Sequence, residues 1–187
     1  MPRIISGSLR GVRLQAPAGT DTRPTSDRAK EALFSIIGPA IEGAHVLDLF
    51  AGSGQIALEA LSRGAEYAVL CETDREALKA LFANVEKTGT SEQLRVFTYD
   101  ARRLVKSLAE GNQSFYFIYL DPPWQNLPDL LKAIESNLST LLSEDGVIVL
   151  ESERKQDIPS RIGPDLTLSR SCTYGASVLS FYYHEND

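Results

Sequence analysis

Cysteine and histidine are scarce in this chain of 187 residues, with two of each. Cys71 and Cys172 have no metal-ligand spacing, and two thiols in a chain of this size do not make a disulfide framework. With His45 and His184 as the imidazoles available, no metal site is expected. No stretch approaches the ~20 apolar residues that a membrane-spanning helix needs. The start, Met1-Pro2-Arg3-Ile4-Ile5-Ser6-Gly7, lacks the apolar centre of a secretory signal, so a cytoplasmic protein is expected. Internal repeats and low-complexity segments are also missing. What is there is an ordinary globular composition, 43% apolar and 24% charged, in a chain long enough for one large domain or a domain with a small appendage.

A net charge of −6 argues mildly against a nucleic-acid partner until its distribution is considered. Residues 1 to 30 carry six basic side chains (Arg3, Arg10, Arg13, Arg23, Arg28, Lys30) against Asp21 and Asp27, a balance of +4 that leaves −10 for the rest. A basic front on an acidic body is either a solvated arm or a phosphate-contacting one.

The organisation changes after that front. Apolar pairs around Gly7 and Gly11 suggest a small hairpin over 3–15, and Pro17, Gly19 and Pro24 mark a loop. A helix begins near Thr25-Ser26-Asp27, where a hydroxyl can cap it, and Gly38-Pro39 stops it. Strands over 45–49, 67–72, 94–99, 115–120 and 146–151 then alternate with helices over 55–63, 74–87, 101–109 and 127–142. Such alternation means a mostly parallel sheet covered on both faces. Residues 166–170 and 177–183 form an antiparallel hairpin at the end.

The first of these strands runs through Asp48-Leu49-Phe50-Ala51-Gly52-Ser53-Gly54 into a helix. Glycines there admit a ligand close to the backbone, and the amides at the helix start favour a negative group. Gly52, Gly54 and Ala57 satisfy a permissive dinucleotide pattern, so a nicotinamide cofactor stays open. Glu72, 20 residues on, suits the ribose hydroxyls of either cofactor. Asp48 leans the other way: a carboxylate repels a pyrophosphate but attracts the ammonium and sulfonium of S-adenosyl-L-methionine. It also admits a purely structural role. Asp100 is an acceptor for an adenine amino group or the N-cap of the next helix.

Asp121-Pro122-Pro123-Trp124 closes the strand over 115–120, because two prolines cannot continue a central ladder. The exocyclic amine of a base is a poor nucleophile, its lone pair being spread into the ring. If the Asp121 carboxylate and the Pro122 carbonyl each accept one N–H, that lone pair can be aimed at a sulfonium methyl, with Trp124 stacked on the ring. The simpler alternative is a strand-ending turn with Trp124 as a core plug.

Taken together, these residues resemble the RsmD family of bacterial 16S ribosomal RNA guanine-N2 methyltransferases. The opening Arg3-Ile4-Ile5-Ser6-Gly7 with Arg10-Gly11 and Leu14 is similar to the family's start, and Thr22-Arg23-Pro24-Thr25, Asp27-Arg28 and Glu31-Ala32-Leu33-Phe34 to its next block. The stretch from Asp48 through Gly54, continued by Leu58-Glu59-Ala60-Leu61-Ser62-Arg63-Gly64-Ala65, resembles its cofactor motif, and Asp121-Pro122-Pro123 its catalytic motif. The resemblance implies an α/β, Rossmann-like class I methyltransferase with a seven-stranded, mostly parallel sheet, its helices on both faces and its hairpin supplying the antiparallel strand. It divides the chain into a basic hairpin extension, 1–24, and a methyltransferase domain, 25–187. It assigns catalysis to Asp121, Pro122, Pro123 and Trp124. S-adenosyl-L-methionine falls to Asp48, Phe50, Ala51, Gly52, Ser53, Gly54, Glu72, Thr73, Asp100, Ala101 and Thr25. RNA falls to Arg3, Arg10, Arg13, Arg23 and Arg28. The partner implied is 16S rRNA or an assembling small ribosomal subunit, met by a monomer. The chain departs from the family at Trp124, where Tyr or Phe is usual, at Gln55 and Ala57, where small residues are usual, and at Tyr174-Gly175-Ala176-Ser177, where the third position is usually an acid.

Overall fold

The computed structural model describes residues 2–18, 26–123 and 127–185. Helix α1 (Asp27–Ile37) starts where the sequence places it, capped by Ser26, whose Oγ accepts the Ala29 amide at 3.2 Å. Gly38 ends it with φ +68°, and a single 3₁₀ turn over Gly38–Ile41 leads into the sheet.

Strands β1 (His45–Asp48), β2 (Tyr67–Cys71), β3 (Leu94–Phe97), β4 (Phe115–Leu120) and β5 (Leu142–Glu153) alternate with α2 (Gln55–Ser62), α3 (Arg75–Thr88), α4 (Ala101–Glu110) and α5 (Leu127–Leu141). Three further strands follow, β6 (Arg161–Ile162), β7 (Leu166–Tyr174) and β8 (Ser177–His184). The sheet order is β3-β2-β1-β4-β5-β8-β7-β6, parallel from β3 to β5 and antiparallel from β5 onward. Eight strands therefore replace the seven expected. The additional one, β6, has two residues and pairs with Leu166 and Thr167, too short to leave an alternating pattern in the sequence. Strand β5 also begins four residues before the expected Gly146, with Leu142 paired to Phe115 across an irregularity in the ladder.

Side-chain parity sorts the core into two layers. Val46 of β1, Phe117 and Tyr119 of β4 and Val147 and Val149 of β5 pack with α1, α2 and α3. Leu47, Ile118, Leu120, Ile148 and Leu150 pack with α4 and α5. Among the described residues no helix is long and apolar enough to cross a membrane.

The N-terminal segment belongs to the first layer. It doubles back so that Arg3 lies opposite Arg13 in an antiparallel bridge, and Ile4 and Leu14 are each 1% exposed. A fully buried carboxylate on α2 holds it. Glu59 accepts the Ile5 amide at 2.7 Å, the Ser6 amide at 3.0 Å and Arg63 Nε at 2.8 Å. Lys30 Nζ, also fully buried, lies 3.9 Å from Glu59 and donates to the Arg3 carbonyl. Gly7 fits this docking because it has φ +84° and no side chain; a Cβ would stand 1.7 Å from the Ser62 carbonyl oxygen. Further along, Asn84 of α3 accepts the Gln15 amide (2.7 Å) and donates to the Gln15 and Ser53 carbonyls (3.0 and 2.9 Å).

Candidate active site

The winding of the sheet reverses between β1 and β4, and open α/β sheets bind ligands at such a point, beyond the carboxyl ends of the strands. Asp48 ends β1 opposite Tyr119. The turn after it brings Gly52 (φ +53°) and Gly54 (φ +79°) into the left-handed region, and Gly54 caps α2. A Cβ on Gly54 would lie 2.4 Å from Leu81 Cδ1, so the turn packs tightly on α3. Ala51 and Ser53 are buried within it, the Ala51 amide donating to the Cys71 carbonyl at 2.9 Å.

Glu72, just past β2, is the structural key of this turn. Its Oε2 accepts the Gly52 amide at 2.8 Å, while Oε1 accepts the amides of Thr73 and Asp74 at 2.6 and 2.8 Å. The residue expected to face a ribose thus also ties the glycine turn to the end of β2. Replacing Glu72 with alanine is expected to weaken adenosylmethionine binding at least ~10-fold, since charge-assisted hydrogen bonds are worth about 1.5–3 kcal/mol each. Calorimetry checks this, and unchanged affinity would remove Glu72 from the site.

A cleft of about 500 Å³ opens over these strand ends. Phe50, Glu72, Thr73, Asp100, Ala101 and Pro123 are among its walls, so six of the residues singled out in the sequence share one space. Asp100 takes the capping role read from the sequence, accepting the Arg102 amide at 2.8 Å, and it also lines the cleft. The Arg102 side chain bonds both its oxygens at 2.9 and 2.7 Å and holds its carboxyl below the usual range. Cys71 also lines the cleft, but burial pushes its thiol up to about 12, which makes it inert as a nucleophile,.

Asp48 lies deeper, and Asp121 is half-buried. Asp48 is 1% exposed and accepts the Phe50 amide at 3.4 Å; burial, more than the neighbouring Glu72 charge, pushes its carboxyl up to about 7 despite that bond. Asp121 is pushed well above the carboxylate range by burial first, then by the charges of Glu151 and Asp48. Pro122 beside it is buried, and Pro123 reaches the cleft. Glu151, 4% exposed, and Tyr119, which donates its hydroxyl to Glu151, join this group without any motif to announce them. Strand parity was the available signal, since Tyr119 and Glu151 fall on the face of Val149 and Phe117.

The donor set fits a cationic nucleoside. Glu72 and Asp100 put two carboxylates on the cleft wall with Asp48 buried nearby, a set that suits a cationic nucleoside better than a pyrophosphate,. Gln55, in the first turn after Gly54, keeps a buried Oε1 without a hydrogen-bond partner among the described residues, one more acceptor on this side. Among those residues, no cluster of three or more His, Cys, Asp or Glu is arranged to hold a metal ion.

The basic residues of the front stand apart from the cleft walls. Arg10, Arg13 and Arg28 are exposed, while Arg3, also exposed, pairs with Asp27 at 2.8 Å. Thr25, Arg23 and Trp124 lie outside the described residues.

A parallel sheet reversing at an acidic cleft, extended by an antiparallel hairpin, is the architecture of a class I methyltransferase, the class that uses S-adenosyl-L-methionine, and the carboxylates at the cleft count against a nicotinamide dinucleotide. A family model described as Conserved hypothetical protein 95 matches residues 2–183. The chain belongs to this family, the RsmD family of methyltransferases. Similar proteins include YlbH of Bacillus subtilis, 41% identical over 96% of this chain and 97% of that one. Ribosomal RNA small subunit methyltransferase D of Escherichia coli is 34% identical over 98% of this chain and 90% of its own. The solved structure of yhhF from Escherichia coli superimposes with a TM-score of 0.82 at 34% identity, covering 99% of this chain and 98% of that one.

Proposed function

We propose that the protein transfers a methyl group to the exocyclic N2 of a guanine in 16S rRNA, in the cytoplasm and as a monomer. The observation that carries this reading is the position of Asp121: it follows β4 directly, next to the strand that ends in Asp48 and the glycine turn, and its neighbour Pro123 lines the cleft with Glu72 and Asp100. This position supports reading Asp121 as the carboxylate that grips the target amine beside the methyl donor. The small-subunit rRNA relative supports the substrate class.

S-adenosyl-L-methionine supplies an activated methyl group. The chain's own residues do the rest. Glu72 and Asp100 hold the nucleoside end, and Asp48 faces the cationic end. Asp121 and the Pro122 carbonyl accept the two N–H groups of the target amine and orient its lone pair, with the aromatic face of Trp124 under the base. The largely apolar surroundings of Asp121 strengthen both hydrogen bonds.

The exposed arginines of the N-terminal segment grip the RNA backbone in this reading. Reversing Arg10 and Arg13 to Glu is expected to weaken RNA binding and flatten its dependence on salt, because fewer counterions are released; an unchanged salt slope would mean that the arm is merely solvated. The function itself is tested by mass mapping of small-subunit rRNA from cells with and without the gene. One methylguanine is expected to vanish and to return on complementation. A rRNA map identical in both cells would overturn the proposal.

A further inference from the structure

Beside the half-buried Asp121 stands a buried carboxyl group. Strands β4 and β5 run parallel with Leu120 opposite Leu150, so the next positions along the ladder are Asp121 and Glu151. Glu151 is 4% exposed, and Tyr119, itself 2% exposed, donates its hydroxyl to Glu151 Oε2. A phenol donating to a carboxylate favours the charged form. Two carboxyl groups at adjacent strand ends repel one another's charge, and the hydroxyl of Tyr119 is committed to one of them,. The other is left with a raised affinity for a proton, which is the direction in which Asp121 is displaced.

We propose that Glu151, anchored by Tyr119, is a positioning residue that makes Asp121 a stronger acceptor for the proton leaving the methylated amine. The inference rests on the role given to Asp121 above. In the transfer, the nitrogen lone pair forms the N–C bond, the S–C bonding pair returns to sulfur, and the surplus proton on nitrogen passes to an Asp121 oxygen and from there to solvent. An ordinary aspartate, with a pKa of about 3.9, is poorly matched to this task near neutral pH. The charges acting on Asp121 come from both flanks and are both acidic, Glu151 on β5 and Asp48 on β1. Tyr119 on β4 fixes Glu151, and Asp129 of α5 adds a further acid on the cleft wall.

The test is the pH profile of kcat for methylation of small-subunit rRNA by wild type, Glu151→Gln and Glu151→Asp, with radiolabelled S-adenosyl-L-methionine. Activity requires ionised Asp121, so it falls as pH drops through the Asp121 pKa. Removing the Glu151 charge lowers that pKa, and the acid limb of Glu151→Gln is expected to move at least about one unit to lower pH, with KM little changed. Glu151→Asp keeps the charge and is expected to keep the limb within about half a unit. A Glu151→Gln limb that coincides with wild type, or an equal shift in both variants, would overturn the inference while leaving the function intact. A wild type without activity on any small-subunit rRNA would overturn both. Should Glu151→Gln not fold, carboxyl-carbon NMR of the wild type decides. The Glu151 signal is expected to respond at the pH where Asp121 titrates and to lose that response in Asp121→Asn; two independent titrations would overturn the coupling.

Discussion

Asp121→Ala is expected to lower methyl transfer at least ~100-fold while leaving the affinity for S-adenosyl-L-methionine within about twofold, the loss typical of a charge-stabilising or proton-handling group. The separation follows from position. Asp121 follows β4, whereas Glu72, which holds the glycine turn, and the cleft-lining Thr73, Asp100 and Ala101 come after β2 and β3. Its carboxyl is acted on by the charges of Glu151 and Asp48, and alanine removes the group proposed to accept the target amine. Thermal unfolding of the variant is expected to match wild type, which separates lost chemistry from misfolding. Single-turnover kinetics with calorimetric binding check both halves. Turnover within a few-fold of wild type would remove Asp121 from the chemistry.

Glu59→Ala is expected to destabilise the protein by about 3–5 kcal/mol, the scale of removing one partner from a buried ion pair. Four groups lose their acceptor or counter-charge together: the Ile5 and Ser6 amides, Arg63 Nε and the Lys30 ammonium. Burial already pulls the Lys30 pKa down, and Glu59 is the strongest of the groups opposing that pull. Without it, Lys30 is a buried charge with a carbonyl for company. Urea denaturation measures the loss, and limited proteolysis is expected to cut first within 2–18. A stability change under ~1 kcal/mol would show that the network is replaceable by water.

The strand ends that carry the site were legible because their residues break local rules. Two prolines after an apolar run, or two glycines after Asp48, have few structural explanations, and each marked the end of a strand. The acid at 151 broke no rule. It ends an apolar run and is followed by Ser152 and Glu153, which reads as a strand leaving the core for solvent; its burial comes from β8 and the hydroxyl of Tyr119. Glu59 was hidden in a similar way. With Arg63 four residues on, it has the spacing of an exposed helical pair, and only the N-terminal segment lying over α2 turns that pair into the inside of the protein. The two-residue β6 and the early start of β5 were illegible because pairing, not pattern, creates them.

Asn84 sets a rule for anyone who shortens this chain. A version beginning at Ser26 would save the sheet and all five major helices, yet it would strip Asn84 of the two Gln15 partners that orient its amide. The amide would then be free to rotate away from the Ser53 carbonyl, the bond that fastens the glycine turn to α3. The seats of Ile4 and Leu14 would open to water at the same stroke. A minimal catalytic fragment of this enzyme therefore keeps the segment from Ile4 to Gln15.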